Sequence, residues 1–106
     1  MREIKFRYWD GKSTYTSETL APMTELFVEP DVQAIMQYTG RKDRNDEEIY
    51  EGDIVPTPWG NAVITWSDAF AGFYAKRGGT HIALTEFQPE VIGNIYENPE
   101  LLGVVG

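Results

Sequence analysis

The sequence contains no cysteine. That removes disulfide scaffolds, thiolate zinc sites and cysteine nucleophiles together. It has one histidine, His81. A single chain therefore cannot assemble a histidine-rich metal site, and a Ser-His-Asp triad could form only around that residue. His81 lies in KRGGTHIAL, just past a turn signal and inside an alternating stretch, which reads as a histidine on a strand surface. No apolar run approaches the ~18 residues of a membrane span. The start, MREIKFRYWD, has basic residues but no apolar segment after them, so no signal peptide is expected. Positive charge is also scarce, with 9 Lys and Arg against 17 Asp and Glu, a net charge of −8. Nucleic-acid binding needs basic surface that releases counterions, so the balance argues against DNA or RNA as the main partner. Every Lys and Arg lies at or before Arg77, and beyond it the only charges are Glu86, Glu90, Glu97 and Glu100. Small anionic ligands stay open, because a local cluster can oppose the global sign.

What is present reads as a short-stranded β protein. EIKFRYW (3–9) alternates strictly, with Ile4, Phe6 and Tyr8 on one face and Glu3, Lys5, Arg7 and Trp9 on the other. Asp10-Gly11 is a turn signal, and 13–16 reads as the returning strand. Pro22 and Pro30 bracket MTELFVE, readable as a helical turn or a short strand. Val32 to Tyr38 reads as a strand closed by Thr39-Gly40. Pro56, Pro58 and Gly60 break the chain before NAVITW, in which Ala62, Ile64 and Trp66 share a face. AFAGFYA, HIALTEF and EVIGNIY read as further strands, with Gly93 marking a bulge or a close backbone approach. Asn98-Pro99-Glu100 reads as the capped start of a short helix. Short strands with frequent turns and little helix imply a small antiparallel barrel or sandwich. A strand opening with GDIV, a Gly-containing loop and a strand ending in Trp suggest an SH3-like barrel.

The segment QYTGRKDRNDEEIYEGDIV (37–55) crowds charges between strands. As a calcium loop starting at Asp43 it supplies Asn45 and Glu47, but the sixth place is Glu48 and the twelfth Ile54, so it fails at both diagnostic positions. As a carboxylate active site it offers consecutive acids that fan into water, where catalysis needs two held across a cleft. It therefore reads as a solvated connection, with Asp53 able to bond turn amides at a strand start. The best ligand combination is Lys5, Arg7 and Trp9, two cations and an aromatic group on one strand face, set against an interface or a solvated face with one packed indole. Trp59, Trp66, Phe70, Phe73 and Tyr74 read first as core and second as a binding platform, with Arg77 as a further cation near them. No cofactor and no catalytic residue is expected.

Three blocks, REIKFRYWD (2–10), MQYTGRKDRNDEEIYEGDIV (36–55) and EVIGNIYENPELL (90–102), resemble the YopX family of small phage and prophage proteins, in family order. The resemblance implies a mainly β fold containing an SH3-like barrel, here a single domain with an N-terminal strand or hairpin extension (1–36), a barrel-like part (37–102) and a short C-terminal helical turn. It supplies no catalytic residues. Family members often carry Asn-Gly in the charged loop, where this chain has Asn45-Asp46. The resemblance implies a phage or prophage origin, and with it the bacterial host cytoplasm, but supplies no mechanism. The small barrel, the lack of nucleophile and metal chemistry and the acidic surface lead to a homo-oligomeric, non-enzymatic protein that binds a host or phage protein. The alternative is a sponge that sequesters a nucleotide second messenger of host immunity. Lys5, Arg7 and Trp9 serve the first reading as interface residues. In the second, Arg7, Lys5 or Arg77 would pair with phosphates while Trp59, Trp66 or Tyr74 stacks on a base.

Overall fold

The computed structural model describes residues 5–16 and 32–103. The MTELFVE segment, Glu3 and Ile4 lie outside them. The described chain is mainly β, two curled antiparallel sheets making a half-barrel. The first sheet holds β1 (Phe6–Trp9), β2 (Thr14–Thr16), β3 (Ala34–Lys42) and β4 (Glu48–Tyr50) in the order β2-β1-β3-β4. The second holds β5 (Asp53–Thr57), β6 (Gly60–Ser67), β7 (Gly72–Arg77), β8 (Thr80–Ile82) and β9 (Gly93–Asn94) in the order β8-β7-β6-β5-β9. A 3₁₀ turn, Pro99–Leu102, follows, and Asn61 Nδ2 ties it back by donating 2.6 Å to the Leu101 carbonyl.

The larger core sits inside the five-stranded sheet, where Ala62 and Ile64 of β6, Ala75 of β7 and Ile82 of β8 meet Ile49 and Val55. The expected face of β6 is thus correct, with Trp66 at its outer end. A smaller core of Met36, Tyr38 and Tyr50 lies under Trp9 and Tyr96. Its lid is the charge-bearing face of β1. Arg7 stands opposite Met36 in the register, and its guanidinium lies 4.6 Å from the Tyr50 ring centre. Lys5 reaches Glu48 at 2.6 Å and lies over Tyr38. On the opposite face Tyr8 stacks on Tyr15.

Several expected boundaries move for local reasons. The strand expected to close at Thr39-Gly40 continues to Lys42, because Gly40, at φ +86°, absorbs a register shift against β4 as a bulge. Pro56 lies within β5 rather than breaking it, at a position that β9 no longer pairs, so no ladder bond is lost. AFAGFYA forms a turn up to Ala71 (φ +51°) before β7 begins at Gly72. HIALTEF and EVIGNIY keep only short paired pieces, β8 and β9. Gly93 is a close approach, since a Cβ there would stand 2.6 Å from Asn98 Oδ1. That oxygen accepts from the Asn94 amide at 3.2 Å, so Asn98 does not cap the 3₁₀ turn with its side chain.

The charged run is organised by one buried carboxylate. Asp43 Oδ1 accepts from the Asn45 and Glu47 amides at 2.8 and 2.9 Å, and Oδ2 accepts from Val91 at 2.8 Å. The Arg44 amide donates to the Pro89 carbonyl. Asp46 then takes φ +66°, the left-handed position that a glycine fills more cheaply. Burial pushes the Asp43 carboxyl up, but the Val91, Glu47 and Asn45 amides outweigh it and hold the pKa below its ordinary value. A depressed carboxyl contributes stability above the unfolded-state pKa of ~3.9, which is lost as pH falls through the folded value. Asp53 acts in the opposite sense. Burial pushes its carboxyl up against the Arg7 charge and the Tyr50 amide, so its contribution falls as pH rises between the ordinary and the raised value. In urea titrations at pH 7 and pH 3, Asp43→Asn should be less stable than wild type at pH 7, with a gap that narrows at pH 3. An equal gap at both would remove Asp43 as the acid-sensitive group.

The two sheets are joined by an ion pair. Asp53, fully buried at the start of β5, accepts from Arg7 Nη2 of β1 at 2.5 Å and, through Oδ2, from the Tyr50 amide at 2.8 Å. Removing one partner of such a pair strands the other charge and costs about 3–5 kcal/mol, a large part of the ~5–15 kcal/mol of a typical domain. Arg7→Ala should therefore cost about that much in urea unfolding, while Arg7→Met with Asp53→Leu recovers a large share. A cost below about 1 kcal/mol for Arg7→Ala would show that the pair does not hold the sheets.

Candidate functional site

Three of the residues expected to bind are engaged inside the fold. Arg7 is taken up by Asp53, Tyr50 and, at 3.2 Å, the Met36 sulfur. Lys5 is paired with Glu48. Trp9 stacks on Tyr96 with ring centres 6.0 Å apart, on the smaller core. The candidate surface lies instead on the half-barrel, where the remaining four residues, Trp59, Trp66, Tyr74 and Arg77, are found.

Each is placed by a local device. Pro58-Trp59 is the two-residue connection between β5 and β6. Thr57 Oγ1 accepts from the Trp59 amide and donates to the Gly60 carbonyl at 2.7 Å, which leaves the indole 65% exposed. Arg77 Nε donates to the Trp59 carbonyl at 2.7 Å, and its guanidinium packs over Gly60, where a Cβ would come within 2.8 Å. Trp59 and Arg77 share an open cleft of about 380 Å³ with His81, Ile82 and Glu86. At the other end of β6, Trp66 is 42% exposed; its Nε1 donates to Asp68 and its ring meets the edge of Phe73.

The turn between β6 and β7 projects Phe70, whose amide donates to Ser67 Oγ. Phe70 is 57% exposed, so it belongs to the surface, while Phe73 packs on the core. Its ring lies 5.2 Å from Tyr74 and 5.7 Å from His81, which is on the surface of β8 as expected. A second cleft, of about 290 Å³, lies beside these rings and is walled by Phe70, Phe73, Tyr74 and Arg41. The three rings link this cleft to the one at Trp59. Sequence reasoning placed Phe70 first in the core and only second on a binding platform, and did not single out Glu86 or Arg41 for this surface. The one available signal was the turn-forming Ser67-Asp68 pair ahead of Phe70.

Chemically, the surface offers aromatic faces, two guanidinium groups, a carboxylate and hydroxyls. Among the described residues no group of His, Asp and Glu is arranged to hold a metal ion. The arrangement can stack, pack and pair charges.

A small mainly β half-barrel with an exposed aromatic face defines the class of protein. The chain belongs to the YopX family, whose family model, described as YopX protein, matches residues 3–103. It is similar to a solved structure, that of protein EF1440 from Enterococcus faecalis, with a TM-score of 0.68 and 27% identity over 96% of this chain and 99% of that one. No curated protein matches it.

The geometry separates surface aromatics from packing ones. Trp59→Ala should change stability by no more than about 0.5 kcal/mol, whereas Trp9→Ala should cost about 3 kcal/mol through lost packing. Thermal melts of the two variants check this, and equal losses would contradict the assignment.

Proposed function

We propose that this chain is a non-enzymatic binding protein that engages a protein partner through the aromatic face of its half-barrel. The observation that carries the reading is the exposure of Trp59 and Phe70, linked across the half-barrel by Tyr74 and His81, with Trp66 exposed separately at the far end of β6. Exposed apolar groups gathered in this way mark interaction sites, and Trp and aromatic residues dominate the buried centres of interfaces. The net charge of −8 suits a basic partner and speeds its encounter. Under this reading the protein is phage- or prophage-encoded, acts in the bacterial host cytoplasm as a homo-oligomer, and binds a host or phage protein in the service of immune evasion. Several copies of the face in one oligomer would add avidity.

The pairing of Trp59 and Arg77 in one cleft favours a second reading, the nucleotide sponge, with a base on the indole and a phosphate on the guanidinium. With Lys5 and Arg7 engaged internally, that reading rests on Arg77, and Glu86 in the same cleft opposes a phosphate.

The test is a pull-down from the bacterial host with wild type and with the Trp59→Ala, Phe70→Ala double variant. The expected result is a stoichiometric protein recovered by wild type and lost by the variant. Equal recovery by both would overturn the assignment of the face. Native mass spectrometry that finds excess mass lost on denaturation, with no protein partner, would replace this reading by the sponge.

A further inference from the structure

Arg41 differs from the other arginines that line or brace the fold. Arg7 is committed to Asp53, and Arg77 to the Trp59 carbonyl. The Arg41 guanidinium makes no hydrogen bond or ion pair with any described residue, although its backbone amide donates to Thr39 Oγ1 at 3.2 Å. Arg41 stands near the end of β3, just past the Gly40 bulge, and lines the cleft walled by Phe70, Phe73 and Tyr74. Thr39 and Thr85 bring hydroxyls to the same cleft, and among the described residues no acidic one lines it. The cleft at Trp59 contrasts with it, since Glu86 stands there beside Arg77.

These features restrict what the Arg41 cleft can hold. A cation would be repelled by the guanidinium, with no carboxylate to receive it. A neutral polar molecule would leave the guanidinium's paired donors without the acceptor pair they match best. At about 290 Å³ the space is at the small end of ligand pockets, which hold drug-sized molecules at ~300–1,000 Å³. The exposed Phe70 ring, tilted at 50° to Tyr74, offers a stacking surface to a planar group. We propose that the cleft between Arg41 and the Phe70–Tyr74 pair binds a small planar aromatic anion, one ring system carrying a carboxylate or phosphate. The ring stacks on Phe70 and the anion receives two parallel N–H bonds from Arg41. This site shares Phe70 with the proposed protein-binding face, but its argument does not depend on that reading.

The test is a titration of the ¹⁵N-labelled full chain, followed by amide chemical shifts, with adenosine 5′-monophosphate and with indole-3-acetate. Adenosine and indole serve as neutral counterparts. The expected result is saturable shifts at Arg41, Phe70, Ala71 and Thr85 with at least one anion, at least tenfold tighter than its neutral counterpart. Arg41→Gln should weaken binding at least tenfold, and Trp59→Ala should leave it unchanged. Saturation by the monophosphate alone assigns a phosphate ligand, by the indole acid alone a carboxylate, and by both a site that reads ring and charge. The proposal is overturned if neither anion binds, if the shifts centre on Trp59 and Arg77, or if binding survives Arg41→Gln undiminished. Arg41 is exposed, so its variant should fold, and an unchanged melting temperature verifies that. Because Arg41→Gln leaves Trp59 and Phe70 in place, failure here would leave the protein-partner reading standing.

Discussion

The structure depends on one charge pair placed where water is excluded. Arg7 and Asp53 meet between the first strand of one sheet and the first strand of the other, 46 residues apart in sequence. The carboxylate also accepts the Tyr50 amide, so it fixes the tight turn that separates β4 from β5. The guanidinium in turn covers Tyr50 and touches Met36, which makes it part of the smaller core as well as its lid. Arg7 Nε is buried without a hydrogen-bond partner, so the geometry is set by the Nη2 contact and the ring rather than by a full fork. A buried pair of this kind adds little net stability over an apolar replacement, yet it penalises any other arrangement of the sheets strongly.

That arrangement frees the half-barrel to display its aromatic groups. The core of the five-stranded sheet is filled by small and branched residues, so the larger rings at its margins are not needed for packing. Trp59 is pushed outward by a two-residue connection, and Phe70 by a turn held at Ser67. Arg77 braces the first of these connections through the Trp59 carbonyl. The exposed face is therefore rigidly presented, which limits the ordering cost that binding would otherwise carry.

Much of this was legible in the chain. The family blocks, the mainly β class, the Asp10-Gly11 turn, the Ala62-Ile64-Trp66 face and the close approach at Gly93 all follow from alternation and turn chemistry. The position of Asp53 against a turn amide was also readable. A packed indole at Trp9 was among the readings. The fate of Lys5 and Arg7 was not legible, because a cation on an alternating strand looks the same whether its partner is solvent or a carboxylate more than forty residues away. The exposure of Phe70 was hidden for a similar reason: AFAGFYA has the composition of a buried strand, and only the left-handed Ala71 turns its first half outward. Strand ends moved wherever a glycine bulge or an unpaired edge let the ladder run on, and no local pattern encodes that.

The carboxylate of Asp43 has a consequence for how the chain is made. Its partners include Val91, 48 residues downstream, and the neighbouring Arg44 amide is bonded to Pro89. With Arg7–Asp53 and Lys5–Glu48 spanning similar separations, the polar links that tie one element to another join distant parts of the sequence, while the turns are closed by local ones. Such a topology has high contact order, so loop-closure entropy is spent before the contacts that reward it can form. On the ribosome, the charged hairpin would emerge with its central carboxylate still short of a partner. Its local bonds to Asn45 and Glu47 can form at once, but the second oxygen stays in water until the segment around Val91 is available to bond it, so the turn is completed late in folding.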